Sequence, residues 1–399
     1  MAACLMLAYL AMRTVNLLEL WAASSSQAAS GRPNSEGRPS EYFVHTATPA
    51  HPGLAGVWAN WDGQWYERIA MEGYPRSDEI GSANDAWAWA FPPGFPLAAR
   101  AVMAATGMTF PHAAVALNLV LGAVATLLVY LMLRAGVSTF LAAGGALALN
   151  AFPSAPLFML AFSEALALVL VLGVLMATIA HRHWAAIPLL LLLSLTRPVA
   201  APFAVVFLAH GLAHWRTDAS GRTRRLLPIV LAAVIALASP WTWSFIAARY
   251  AGPAEGPAES GLQRTQSILK GFEFGWFGAV WRSSGLAGLT LLVLVTGLVL
   301  VVAGLGVRRL GLPPELVLWG ATYVLFVLTV TPLHPAVVRY LLLATPLLAV
   351  VPVYAAATRR TVGVMAALAL ITVGLSLQWV WIRYLYILDP APALLPFAA

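Results

Sequence analysis

Long apolar runs fill most of this chain, and its polar residues gather in a few short interruptions. A transmembrane helix needs about 20 mostly apolar residues. By that measure the runs near Ala2–Leu20, His112–Leu133, Thr139–Leu160, Glu164–Ala180, Trp184–Leu195 and Val199–Ala213 predict spans. So do those near Leu226–Ala248, Leu286–Val307, Glu315–Val330, Tyr340–Thr358 and Val362–Tyr384. The expectation is an all-α polytopic membrane protein of about eleven transmembrane helices. The two short runs flanking Thr196-Arg197-Pro198 suit broken or re-entrant helices.

Composition agrees with that picture. Of 399 residues, 60% are hydrophobic and 10% charged, against about 25% charged in soluble domains. The net charge of +7 comes from short arginine groups between apolar runs, which is a topology signal and not a nucleic-acid-binding stripe. Lys270 is the only lysine, and the Arg, Ala, Gly and Pro bias points to a high-GC bacterial genome. The single cysteine, Cys4, excludes an intrachain disulfide and any multi-cysteine metal site. The first apolar run lacks a basic leader and reads as an uncleaved helix.

If the helices alternate, Arg134, His181-Arg182-His183, Arg216 to Arg225, Arg308-Arg309 and Arg359-Arg360 share one side. The positive-inside rule makes that side the cytoplasm. The expected organisation is a first helix over 1–21, an extracytoplasmic loop over 22–111 and a bundle over 112–248. A second extracytoplasmic loop follows over 249–285, and a last bundle over 286–399.

The first loop is where polar chemistry concentrates. Ser24–Gly53 is rich in Ser, Gly and Pro and reads as loop. Trp58, Trp61, Trp65 and Ile69 fall at helical spacing, which predicts a short helix from Trp58 to Met71 lying on the membrane surface. Asp62, Tyr66 and Ile69 share one side of that helix. A second surface helix is expected over Pro93–Ala105.

Trp61-Asp62, Tyr66, Ile69-Ala70, Gly73-Tyr74 and Ala90-Phe91-Pro92 with Pro96 resemble the first-loop signature of the PIG-V-type mannosyltransferases. These are integral-membrane enzymes of the GT-C superfamily. Ser163-Glu164, Thr196-Arg197-Pro198 and Arg339-Tyr340 with Pro346 resemble later landmarks of the same group. The resemblance implies a GT-C-like bundle that moves a sugar, most often mannose, from a polyprenyl-phosphate donor to a hydroxyl on the extracytoplasmic face. The acceptor would be a glycolipid, a lipoglycan or a protein, in the plasma membrane of a bacterium. No cofactor is implied. The loop holds no Asp-x-Asp motif, so no metal ligand is assigned.

The residue types fit such chemistry. A polyprenyl phosphate leaves as a stable anion, so the paired carboxylates of a glycosidase are not needed. One carboxylate to take the acceptor proton and cations to hold the phosphate are enough. Asp62 is the candidate base, or else an acid capping its helix, with Glu67 and Glu72 as substitutes. Asp78, Glu79 and Asp85 read as exposed loop charges. Arg197 and Arg339 are candidate phosphate ligands, because an arginine among apolar segments is expensive unless paired or facing a cavity. An interfacial anchor is the alternative for Arg197.

Glu164 either pairs with Arg197, touches the acceptor or sits as a dipole-favoured acid behind a Ser163 cap. Trp61, Trp65, Tyr66, Glu67, Arg68, His334 and Tyr340 complete the candidate substrate contacts. Arg13, mid-span in the first helix, faces protein or snorkels. The 249–285 loop, with Arg249, Arg264, Lys270, Trp276 and Trp281, is either a lid or a tryptophan belt. Two other classes stay open: a GT-C enzyme for arabinose or glucose, and a flippase of lipid-linked sugars. The absence of an internal repeat speaks against a transporter.

Overall fold

The computed structural model describes residues 2–28, 49–76, 87–217, 222–250, 275–331, 333, 337–358 and 360–388. Among these the chain is helical, with no strand. Six helices are long and apolar enough to cross a membrane: Ala2–Ser24, Phe110–Leu133, Leu226–Tyr250, Gly275–Arg309, Val338–Thr358 and Leu368–Tyr386. Five shorter apolar helices stand with them: Thr139–Asn150, Glu164–Ile179, His183–Ser194, Phe203–Ala213 and Glu315–Val330. The protein is an all-α, multi-pass membrane bundle. The Gly275–Arg309 helix shows it most openly, since Leu286, Leu291, Leu294 and Leu298 are all exposed, which is what a lipid-facing helix does.

Prolines set where the spans break. The apolar run expected to be one helix over Thr139–Leu160 stops at Asn150 and resumes as a 3-10 turn over Ala155–Met159. Pro153 and Pro156 remove two backbone donors and clash with the preceding turn. Carbonyls freed inside a bilayer must find other partners. Arg13 supplies them, donating to Ala155 O at 2.5 Å and Asn150 O at 3.1 Å. Gln378 donates to Asn150 O and Phe152 O, both at 2.9 Å. Arg13 is therefore fully inside the protein, 2% exposed, and braces a broken helix.

The first loop also differs from expectation. In place of one surface helix over Trp58–Met71 there are two, Gly53–Trp58 and Asp62–Glu72, separated by a turn. Trp61 makes the turn at φ 54, in the left-handed region. The second helix is wedged into the bundle instead of floating on it. Trp65, Tyr66 and Ile69 are all buried, and Gly63 lies so close to Ala161 that an added Cβ would sit 3.2 Å from the alanine methyl. The apolar face that suggested a membrane partner meets protein: Trp65 stacks on Phe91, and Tyr66 meets Phe91 and Phe95 edge-on. The expected helix near Pro93–Ala105 spans Gly94–Thr106.

Two of the arginine-bearing turns meet at one end. Gly136, just after Arg134, lies against the Leu310 carbonyl, just after Arg308-Arg309. At the other end, the first loop closes over the Ser163, Arg197 and Arg339 segments.

Candidate functional site

Four charged side chains at that other end, Asp62, Glu164, Arg197 and Arg339, stand at helix ends or breaks. Asp62 opens its helix after the Trp61 turn, and Glu164 opens another after Ser163. Acids in a first turn suit the positive end of the helix dipole. Pro198 disfavours helical geometry at the residue before it, so Arg197 lies in the break between His183–Ser194 and Phe203–Thr217. Arg339 lies in the one-turn helix Val337–Tyr340.

These sequence-distant segments converge. Arg339 Nη1 is 2.7 Å from Asp62 Oδ2, and Arg197 Nη1 is 2.7 Å from Glu164 Oε1. Arg339 Nε is 3.6 Å from the same Glu164 oxygen, which links the two pairs. The Tyr66 hydroxyl donates to Ser163 Oγ at 2.9 Å, and Arg197 Nη1 donates to it at 3.1 Å. Both guanidiniums lie over the Tyr340 ring, at 5.1 and 5.0 Å from its centre, and Arg339 also lies 5.1 Å from the Phe162 ring. Two anions and two cations balance, so the cluster is neutral where burial makes net charge costly.

Burial grades the cluster. The Glu164 side chain is 0% exposed, Arg197 12%, Arg339 13% and Asp62 21%, so Asp62 is the member nearest to an incoming molecule. Burial also holds the Tyr66 phenol well above its ordinary ionisation range, with the Asp62 charge acting in the same direction. It stays a protonated donor. Neither Glu164 oxygen has a geometrically sound hydrogen bond despite the ion pairs, which leaves buried acceptor capacity beside two cations.

Neighbouring elements hold this arrangement. Asn118 donates to Phe162 O at 2.8 Å and also to Leu160 O, fixing the approach to Ser163-Glu164. Gly94 N donates to Leu195 O at 2.7 Å, and a Cβ on Gly94 would collide with Thr196, so only glycine lets the first loop press on the Arg197 segment. Trp61 Nε1 donates to Tyr386 O at 2.7 Å, and the Tyr386 hydroxyl donates to Val57 O at 2.6 Å. The last described turn thus pins the Trp61 turn.

Of the residues singled out by sequence, the structure brings together Asp62, Tyr66, Glu164, Arg197, Arg339 and Tyr340. The Asp62 carboxylate meets Arg339 and makes no side-chain cap, and Ser163 does not cap its helix either; its hydroxyl serves Tyr66 and Arg197. Glu67 points elsewhere and meets His51 Nε2 at 2.7 Å. Arg68 lies 3.5 Å from Glu72 along its own helix. Trp65 is packing and Trp61 is a brace. His334, Asp78, Glu79, Asp85 and the 251–274 part of the second loop lie outside the described residues. The Arg197–Glu164 pairing is among the alternatives the sequence offers for Glu164; Ser163 as a bridge, Phe162 and Tyr386 are not, and the Ser163-Glu164 landmark is the signal nearest to them.

No family model matches the chain, and no curated protein matches it. Among solved structures, a crystal structure of ArnT from Cupriavidus metallidurans in the apo state is similar at 15% identity and a TM-score of 0.44. The likeness covers 95% of this chain and 75% of that one. At so distant a similarity, function has to be read from the residues themselves.

Proposed function

We propose that the chain is a GT-C-type glycosyltransferase that moves a sugar, most often mannose in enzymes of this kind, from a polyprenyl phosphate to an acceptor hydroxyl. The observation that supports it is the Asp62, Glu164, Arg197 and Arg339 cluster, assembled from four distant segments at one end of a membrane bundle. Two guanidiniums beside aromatic rings suit a phosphate, whose oxygens match their planar forks. Buried Glu164 fixes the direction of both. A bundle in lipid gives the prenyl tail a solvent that water would not.

The reaction follows from this arrangement. The donor phosphate engages Arg197 and Arg339, and in taking Arg339 it frees Asp62 from its ion pair. Asp62 accepts the proton of the acceptor hydroxyl as that oxygen bonds to the anomeric carbon. The bond from that carbon to the phosphate oxygen breaks on the opposite side, and the phosphate leaves with the electron pair. Configuration inverts. The arginines balance the growing phosphate charge, so no proton donor to the leaving group is required. By the positive-inside rule, the arginine-bearing turns expected at the other end support an extracytoplasmic site in a plasma membrane.

Transfer of labelled mannose from synthetic polyprenyl-phosphate-mannose, in membranes holding wild type or Asp62→Asn, tests the reading. Transfer by wild type that is lost in a well-folded Asp62→Asn protein is expected. Equal transfer by both would remove Asp62 as base, and sugar lipid crossing the bilayer without transfer would favour a flippase.

A further inference from the structure

At the end of the bundle away from Asp62, three histidines crowd together. The Glu164–Ile179 helix connects the two ends: Glu164 begins it, and His181 lies just beyond its other end, roughly 24 Å along the axis at the usual rise per residue. His183 opens the next helix, and His210 comes from Phe203–Thr217. One ring nitrogen from each lies within 4.8 Å of the others. His183 and His210 are 6% and 8% exposed, and His181 faces outward.

Three features mark this as more than aromatic packing. First, His183 Nε2 and His210 Nδ1 are 3.3 Å apart. Two nitrogens bound tetrahedrally at zinc's usual distance of about 2.0–2.1 Å are separated by ~3.3 Å. Second, His210 Nε2 is 2.6 Å from Glu315 Oε1. A carboxylate holding one ring nitrogen as a donor leaves the other as a lone pair in fixed direction, the arrangement that orients metal-ligating histidines. Third, His181 adopts φ 55, a left-handed backbone in a residue that has a Cβ. Such strain persists where surrounding structure enforces it, often at binding sites.

We propose that His181, His183 and His210 bind a divalent transition-metal ion, zinc by ligand type, with Glu315 as the positioning residue for His210. Imidazole donors suit zinc and its neighbours and disfavour magnesium or calcium. His181, the exposed member, would rotate to bring the three nitrogens from within 4.8 Å of one another to ligand spacing, and water would take the fourth position. The ion joins the turn before His183, the Phe203–Thr217 helix and, through Glu315, the start of the Glu315–Val330 helix. It acts as a structural clamp remote from the Asp62 cluster.

The test uses full-length protein purified without a polyhistidine tag, stripped with chelator and titrated with Co²⁺. About one equivalent is expected to bind with the visible absorption of a four-coordinate nitrogen site, displaced by Zn²⁺. His112→Ala, an exposed imidazole elsewhere, should bind Co²⁺ like wild type. The His183→Ala/His210→Ala protein should lose the absorption, and Glu315→Gln should weaken binding about 10–100-fold with all three imidazoles present. Zn²⁺ should also raise the melting temperature of wild type, a readout that needs no variant to fold. A wild type that binds no stoichiometric Co²⁺, or a double variant that binds it undiminished, would overturn the proposal and leave a histidine–histidine hydrogen bond.

Discussion

The two ends of this bundle hold their polar residues in opposite ways. At the Asp62 end, carboxylates and guanidiniums pair into a neutral cluster at 2.7 Å. At the His210 end, imidazoles face one another at 3.3 Å with one carboxylate behind them. Guanidiniums offer only donors and suit an anion's oxygens; imidazoles offer lone pairs and suit a cation. Each end also has the only non-glycine residue of its half in a left-handed backbone, Trp61 and His181, among the described residues. Strain therefore marks both places, and side-chain type separates what each can hold.

The largest effect should come from the paired end. Asp62→Asn should lower transfer about 10²–10⁴-fold, the usual share of a general base, without altering Co²⁺ binding at the other end. A loss of both would show that the variant had disturbed the fold and not the base.

Arg197→Ala should cost about 3–5 kcal/mol of stability, because it leaves Glu164 charged and buried without its nearest partner. Adding Glu164→Gln should restore much of the melting temperature but not transfer. That result would separate the cluster's structural part from its chemical one. Arg13→Met tests a polar residue belonging to neither end. Losing its bonds to Ala155 and Asn150 should cost about 1–3 kcal/mol, read as a lower melting temperature with the donor KM unchanged.

The smallest effect concerns His51. Its hydrogen bond to Glu67 raises its ionisation above the ordinary value. The stabilising pair is therefore complete below about pH 6.5 and is lost as pH rises through the raised value. His51→Gln should flatten a slight fall in melting temperature over that window. A fall that persists would assign it to another group.

The spans were legible because runs of about 20 apolar residues have few other uses. Arg197, Arg339 and Glu164 were legible because charge in such surroundings needs a reason. The break after Asn150 is hidden, since Pro153 and Pro156 sit in a segment that is mostly apolar, with only Asn150 and Ser154 polar near the break. The Asp62 helix was misplaced because an apolar face looks the same whether it meets lipid or Phe91. The histidine cluster was invisible for a different reason. His183 and His210 are 27 residues apart and Glu315 is 105 beyond His210, and the basic turn already had an explanation as topology.

The central claim is that the Asp62 end grips a lipid-linked phosphate, and the direct measurement is binding of unreactive polyprenyl monophosphate to the purified protein. Wild type should bind it, with affinity at least about tenfold weaker in both Arg197→Gln and Arg339→Gln, as loss of a charge-assisted bond of about 1.5–3 kcal/mol requires. Equal affinity in wild type and both variants, or no binding by wild type, would contradict the account.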